Sequence, residues 1–311
     1  RAKADMNQMD LMIDRIIEKH NPTVAGLDTR VEYLPEEFIA ELGIGAIDTM
    51  EKAAQAILAY NKRLIKALCD IVPAVKVQIA YYEMYGVAGM KAFEETLKAA
   101  HEAGMSVMVD AKRNDIGATA EAYATSYLGK TQLPAGEARA FEGDFVTVNA
   151  YLGVDGVKPF VNACEKNGGG IFALVKTSNP SSGQLQDMRL EDGRTVYEMM
   201  GDLVSEWGES TIGRHGYSQV GAVVGATYPE QGRELRARMK HTFFLVPGYG
   251  AQGATGKDIA GCFDEKGLGA IVNASRSLLC AWKKQPGVAF DTAARNEAIR
   301  MRDDITANIN L

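Results

Sequence analysis

Long apolar runs are missing from this chain, and no stretch approaches the roughly 20 residues that a membrane-spanning helix needs. Residues 1–14 alternate charged and apolar side chains without a signal-peptide core, so the expectation is a soluble, cytoplasmic protein. Cysteine is sparse and scattered: Cys69, Cys164, Cys262 and Cys280 show no C-x-x-C spacing, which argues against a zinc site or a disulfide framework and for reduced core thiols. Histidine is equally thin. His20, His101, His215 and His241 form neither H-E-x-x-H nor a close pair, so they are expected at the surface or in packing. A Walker P-loop and a G-x-S-x-G elbow are both absent. Positive charge is in deficit: a net charge of -6 and a pI near 5.4 speak against nucleic acid or anionic lipid as partners. An anionic ligand would therefore need a focused local site.

What the chain does have is globular composition, with 46% apolar and 24% charged residues over 311 positions, a normal length for an α/β barrel with insertions. Eight short apolar or β-branched runs alternate with amphipathic stretches: 23–28, 74–80, 106–110, 145–149, 170–176, 220–226, 242–246 and 269–273. Eight consecutive β-α units without a linker or internal repeat predict a single-domain TIM (β/α)8 barrel over 1–311. An open doubly wound sheet is the competing arrangement, since periodicity does not report closure. Among the helices, 48–68 reads as opening on a capping Asp48, and 86–103 as ending at Gly104. Two polar insertions, 128–143 and 181–193, interrupt the pattern; the second follows the fifth strand and is a lid candidate.

Polar residues recur where these runs end. They are Asp28, Lys76, Asp110 with Lys112, Asn149, Thr177 with Ser178, Pro247 with Gly248, and Asn273 with Arg276. In a barrel these ends meet on one rim, so dispersed positions become one site. The densest segment is 106–117, SVMVDAKRNDIG: alternation puts Asp110 and Lys112 on one strand face, and Asp115 follows at the start of the next element. A lysine flanked by carboxylates is commonly a surface ion pair of about 0–1 kcal/mol. Here the apolar run before it favours a strand mouth instead. Lys76, between Val75 and Val77, needs a carboxylate partner or a place at the strand's end, because a lone buried ammonium is costly. Together with Asp110, Lys112 and Asp115 it would form an alternating array of two cations and two anions.

A second cluster lies late in the chain. Residues 246–253, VPGYGAQG, are followed by Arg276; glycines let backbone N–H groups approach an anion, Gln252 adds a neutral donor and Arg276 a forked cation. The text GYGAQG also fits a dinucleotide fingerprint, but no acidic residue ends the following strand, so a nucleotide phosphate is the better reading.

With these residues in place the chain resembles the orotidine 5′-phosphate decarboxylase family, particularly its longer bacterial branch, over nearly its whole length. The anchors are Asp28, Lys76, the DAKRNDI segment 110–116, the segment VGAVVGATYPE at 220–230, the loop from Pro247 to Gly253, and Arg276. The resemblance implies loss of CO₂ from orotidine 5′-monophosphate to give UMP, without metal or cofactor, on a homodimeric barrel. It further implies that Asp28 and Lys76 hold ribose hydroxyls and that Lys112, beside Asp110, delivers a proton to C6. Asp115, with Ile116 and Thr119, would reach the neighbouring subunit's site. Ser178 would contact the pyrimidine, while Gln252 and Arg276, with the loop that begins at Pro247 and Gly248, would grip the phosphate. Two other readings remain open from sequence: a Mg²⁺-dependent sugar-phosphate decarboxylase or aldolase of the same superfamily, and a noncatalytic nucleotide-phosphate sensor.

Overall fold

The computed structural model describes residues 7–225, 227–250 and 253–311. Each of the eight expected runs forms a parallel strand: β1 (Thr23–Gly26), β2 (Ala74–Gln78), β3 (Ser106–Arg113), β4 (Phe145–Val148), β5 (Gly170–Lys176), β6 (Val220–Val224), β7 (Phe244–Val246) and β8 (Ala270–Ala274). They pair in sequence order, and β1 pairs with β8, so the sheet closes into a (β/α)8 barrel rather than an open sheet.

Strand alternation sorts the side chains into two layers. Val75, Val77, Val107, Val109, Val146 and Val148 point outward into the layer beneath the helices, alongside Tyr60, Phe93 and Phe160. Ala74, Met108, Phe145, Phe172 and Ile271 point inward and fill the barrel, where the rings of Phe145 and Phe172 lie 5.4 Å apart. Helix α1 (Gln8–Lys19) supplies Met9, Met12, Ile13 and Ile16 to that same inner cluster. Inward positions further along the strands, Lys76, Asp110 and Thr147, are polar and form the mouth opposite this apolar plug.

The outer helices are α2 (Met50–Leu68), α3 (Gly86–Glu102), α4 (Gly117–Leu128), α5 (Val154–Asn167), α6 (Val196–Gly208), α7 (Pro229–Arg238) and α8 (Phe290–Thr306). Asp48 does not cap α2. Thr49 does, accepting from the Lys52 N–H, while Asp48 pairs with the Lys52 ammonium at 2.9 Å. Helix α3 ends as expected, with Gly104 at a left-handed φ of +79° that glycine adopts without a Cβ penalty. Insertion 128–143 forms an exposed antiparallel hairpin, Thr131–Leu133 against Gly136–Ala138. Insertion 181–193 begins within the short helical turn Pro180–Ser182 and continues in the turn Gly183–Gln186 rather than as an open loop.

Candidate active site

The strand ends deliver their polar side chains to a cavity of about 460 Å³ at the carboxyl mouth, within the usual size for small-ligand sites. Lys76, Asp110, Lys112 and Thr147 make its charged wall. Leu174, Val223 and Leu245 make an apolar floor, and Ser178, Gln186 and Pro247 close the opposite side.

Asp110 is the centre of the wall. Its Oδ2 accepts from Lys76 Nζ at 2.8 Å, and its Oδ1 accepts from Lys112 Nζ and Thr147 Oγ1, each at 2.8 Å. Lys76 and Asp110 are both buried, whereas Lys112 is open to the cavity. Burial alone would push the Asp110 carboxyl up; Lys76 and Lys112 outweigh it and hold the group far below the ordinary carboxylate range. For Lys76, burial acts to lower the pKa, and the charges of Asp110 and Asp28 override it, so the ammonium sits above its usual value. The requirement read from the sequence is met twice over: Lys76 has its carboxylate partner and stands at the strand mouth.

Plain alternation does not account for how Lys112 gets there. The β3–β4 register shifts between Val109 and Arg113, and Lys112 adopts φ +48°, an uncommon conformation for a non-glycine residue. Thr147 Oγ1 secures this bulge by accepting from the backbone N–H groups of Ala111 and Lys112, both at 3.0 Å, while its own hydrogen goes to Asp110. One hydroxyl therefore shapes the backbone under the cation and orients the anion beside it. Thr147 was not singled out by sequence reasoning, although its inward position within the 145–149 run was a usable signal.

The other expected residues are spread around this wall and beyond it. Ser178 and Pro247 line the cavity with the charged wall. Asp28 lies just beyond β1, half-buried, with a buried Oδ1 that has no hydrogen-bond partner among the described residues and with its charge acting on Lys76. Gly248 (φ +91°) and Gly250 (φ +73°) bend the loop after β7, which is tied down where Tyr249 Oη and the Gly256 N–H both donate to Asp304 Oδ2. Gln252 lies outside the described residues. Arg276 opens the short helix Arg276–Leu279 after β8; it is exposed on the rim and does not line the cavity.

Asp115, Ile116 and Thr119 are not gathered into the site of this single chain. Asp115 has φ +110°, accepts only from the Ile116 N–H at 2.9 Å, and forms no ion pair among the described residues. Ile116 and Thr119 are exposed at the start of α4. Within one chain the array is thus Lys76–Asp110–Lys112, without its fourth member. The histidines make local contacts elsewhere: His101 with Glu142 O, His215 with Asp14, and His241 with Gly216 O. Among the described residues no three His, Cys, Asp or Glu side chains converge as a metal centre would require.

Fold and site together define a (β/α)8 barrel whose mouth presents an ammonium over an apolar floor, backed by a carboxylate. Comparison with known proteins narrows this class. The model of the "Orotidine 5'-phosphate decarboxylase / HUMPS family" matches residues 44–286. An orotidine 5′-phosphate decarboxylase of Clostridium acetobutylicum is 40% identical over 300 residues, covering 95% of this chain and 99% of that protein. One from Rhodopirellula baltica is 42% identical over 286 residues, covering 92% of each. The solved structure of Leishmania donovani OMP decarboxylase is 30% identical, superposes with a TM-score of 0.73, and covers 97% of this chain and 99% of that one. The chain belongs to the orotidine 5′-phosphate decarboxylase family.

Proposed function

We infer that the chain decarboxylates orotidine 5′-monophosphate to UMP in pyrimidine biosynthesis, with Lys112 as the proton donor and without a cofactor. Family membership supports the reaction, and the Lys76–Asp110–Lys112 chain is the observation that carries the mechanism. Breaking the bond between C6 and the carboxylate leaves its electron pair on C6, a ring carbon with no adjacent electron sink. Catalysis then requires positive charge where that pair develops. Lys112 Nζ presents such a charge at the cavity, and transfer of one of its protons to C6 completes UMP as CO₂ departs. Asp110, fixed as an anion by its two lysines, faces the region of the leaving carboxylate and favours its loss.

The remaining roles are those that the family resemblance implies. Asp28 and Lys76 take ribose hydroxyls, which supplies the missing partner for the orphaned Asp28 Oδ1. Ser178 meets the pyrimidine, and Arg276, with Pro247, Gly248 and Gln252, holds the phosphate. Phosphate is remote from the reacting carbon, so its binding energy serves to order the site. Arg276→Ala should raise KM for orotidine 5′-monophosphate by about 10- to 100-fold, as loss of a charged hydrogen-bonding group implies, with a smaller change in kcat. Steady-state kinetics would measure it; an unchanged KM would remove Arg276 from the phosphate site.

The active form is a homodimer in this reading. Asp115, which forms no ion pair among the described residues, would reach the partner's Lys112, with Ile116 and Thr119 beside it. The rim around Asp115 is apolar and uncovered: Ile116, Tyr151, Leu152 and Val154 are exposed, and a Cβ at Gly156 would lie 2.8 Å from Asp115 O. Such a patch on a small enzyme marks an interaction surface. Four free cysteines, three of them buried, suit a reducing compartment such as the cytoplasm. No described helix is long and apolar enough to cross a membrane.

A further inference from the structure

The reaction leaves buried cations unused among the described residues, and one of them ends a barrel strand. Lys176, the last residue of β5, is 1% exposed, yet it is not among the residues that line the cavity. The β5–β6 register shifts between Leu174 and Lys176, so while Leu174 contributes to the cavity floor, the Lys176 ammonium lies toward α6, 5.8 Å from the Tyr197 ring. The Tyr228 ring, from the loop after β6, lies 5.1 Å away on the same ammonium.

The polar partners of Lys176 both come from the insertion after β5. Nζ donates to Ser182 Oγ at 2.7 Å and pairs with Asp187 Oδ1 at 3.4 Å. A buried ammonium demands such partners, so its charge draws the middle and the far end of segment 177–187 back onto the strand that launches it. The inner edge of that same segment faces the cavity through Thr177, Ser178, Asn179 and Gln186. Gln186 closes the loop from within, accepting from the Thr177 N–H at 2.8 Å and donating to Thr177 Oγ1 at 2.7 Å. On the other flank, Gly225 packs so closely that an added Cβ would fall 2.9 Å from Ser178 N.

We propose that the clasp of Lys176 with Ser182 and Asp187 is a positioning device that holds Ser178 against the base of the bound nucleotide, so that a residue outside the cavity sets base recognition. This rests on the reading of the cavity as the orotidine 5′-monophosphate site and of Ser178 as its base contact. Lys176 acts through Ser178 and is a positioning residue, not a catalytic one.

The test uses the full chain with Ser182→Ala, Asp187→Asn and Ser178→Ala, because Lys176→Met risks misfolding through its buried position. UMP and ribose 5-phosphate serve as binding probes with and without the base. Ser182→Ala and Asp187→Asn should each lower kcat/KM for orotidine 5′-monophosphate and weaken UMP by about tenfold, the worth of one charged contact. Ribose 5-phosphate affinity should stay near wild type, and Ser182→Thr should retain UMP binding. Unchanged UMP binding in both clasp variants, with Ser178→Ala defective, would overturn the clasp. Equal weakening of UMP and ribose 5-phosphate would also overturn it, by showing a general structural role. If Ser178→Ala itself binds UMP normally, the underlying assignment of the base contact is what fails.

Discussion

Lys112→Ala should lower kcat for orotidine 5′-monophosphate by at least about 10⁴-fold, because it removes both the proton donor and the cation that stabilises the developing carbanion. Affinity for UMP should stay measurable, since the phosphate and ribose contacts are made elsewhere on the rim. The substitution should also fold. Lys112 is exposed to the cavity, and Asp110 keeps Lys76 and Thr147 as partners at 2.8 Å. Single-turnover assays beside equilibrium binding of UMP check both halves, and turnover within tenfold of wild type would remove Lys112 from its role.

Asp110→Asn should do damage of a different kind. The carboxylate pairs with the buried Lys76, and removing one member of a buried pair costs about 3–5 kcal/mol because the other charge is left uncompensated. Turnover falls as well, since the fixed anion behind Lys112 is lost. The pH dependence of stability supplies the control. The depressed Asp110 pKa contributes stability that is present above its unfolded value of about 4 and is lost as pH falls through the lower folded value. The raised Lys76 pKa contributes stability present below its unfolded value of about 10.4 and lost as pH rises through the higher folded value. Between those limits the pair is fully ionised in the wild type. Denaturant melts near pH 7 should therefore show the full deficit in Asp110→Asn, and a loss under about 1 kcal/mol would mean that the pair behaves like a surface bridge.

The barrel was legible because its signal is repetitive. Eight short apolar or β-branched runs, each followed by a helical stretch, leave few other arrangements, and every run became a strand. Lys76 and Asp110 were legible for a related reason: each is a charged residue at an inward strand position, where only a partner or an active site makes it tolerable. Lys112 was expected at the strand end by simple alternation, but a backbone bulge held by one threonine hydroxyl replaces that alternation and sets its geometry. Thr147 acts through partners 35 or more residues away and Lys176 through the fold of an insertion, and nothing in local spacing records those contacts. Asp115 illustrates a further limit, since a residue expected to complete a neighbour's site shows no ion pair among the described residues of one chain. The cap of α2 shifted from Asp48 to Thr49 because adjacent residues both had capping side chains, and only the Thr49 hydroxyl meets the Lys52 N–H.

The most direct test of the account is the ultraviolet absorbance of orotidine 5′-monophosphate mixed with the purified protein in excess EDTA. Rapid conversion to UMP at the same rate with and without chelator is the predicted result. A folded protein that leaves the substrate intact, or one whose activity disappears with EDTA and returns with Mg²⁺, would contradict a decarboxylase that works through Lys112 and its flanking charges alone.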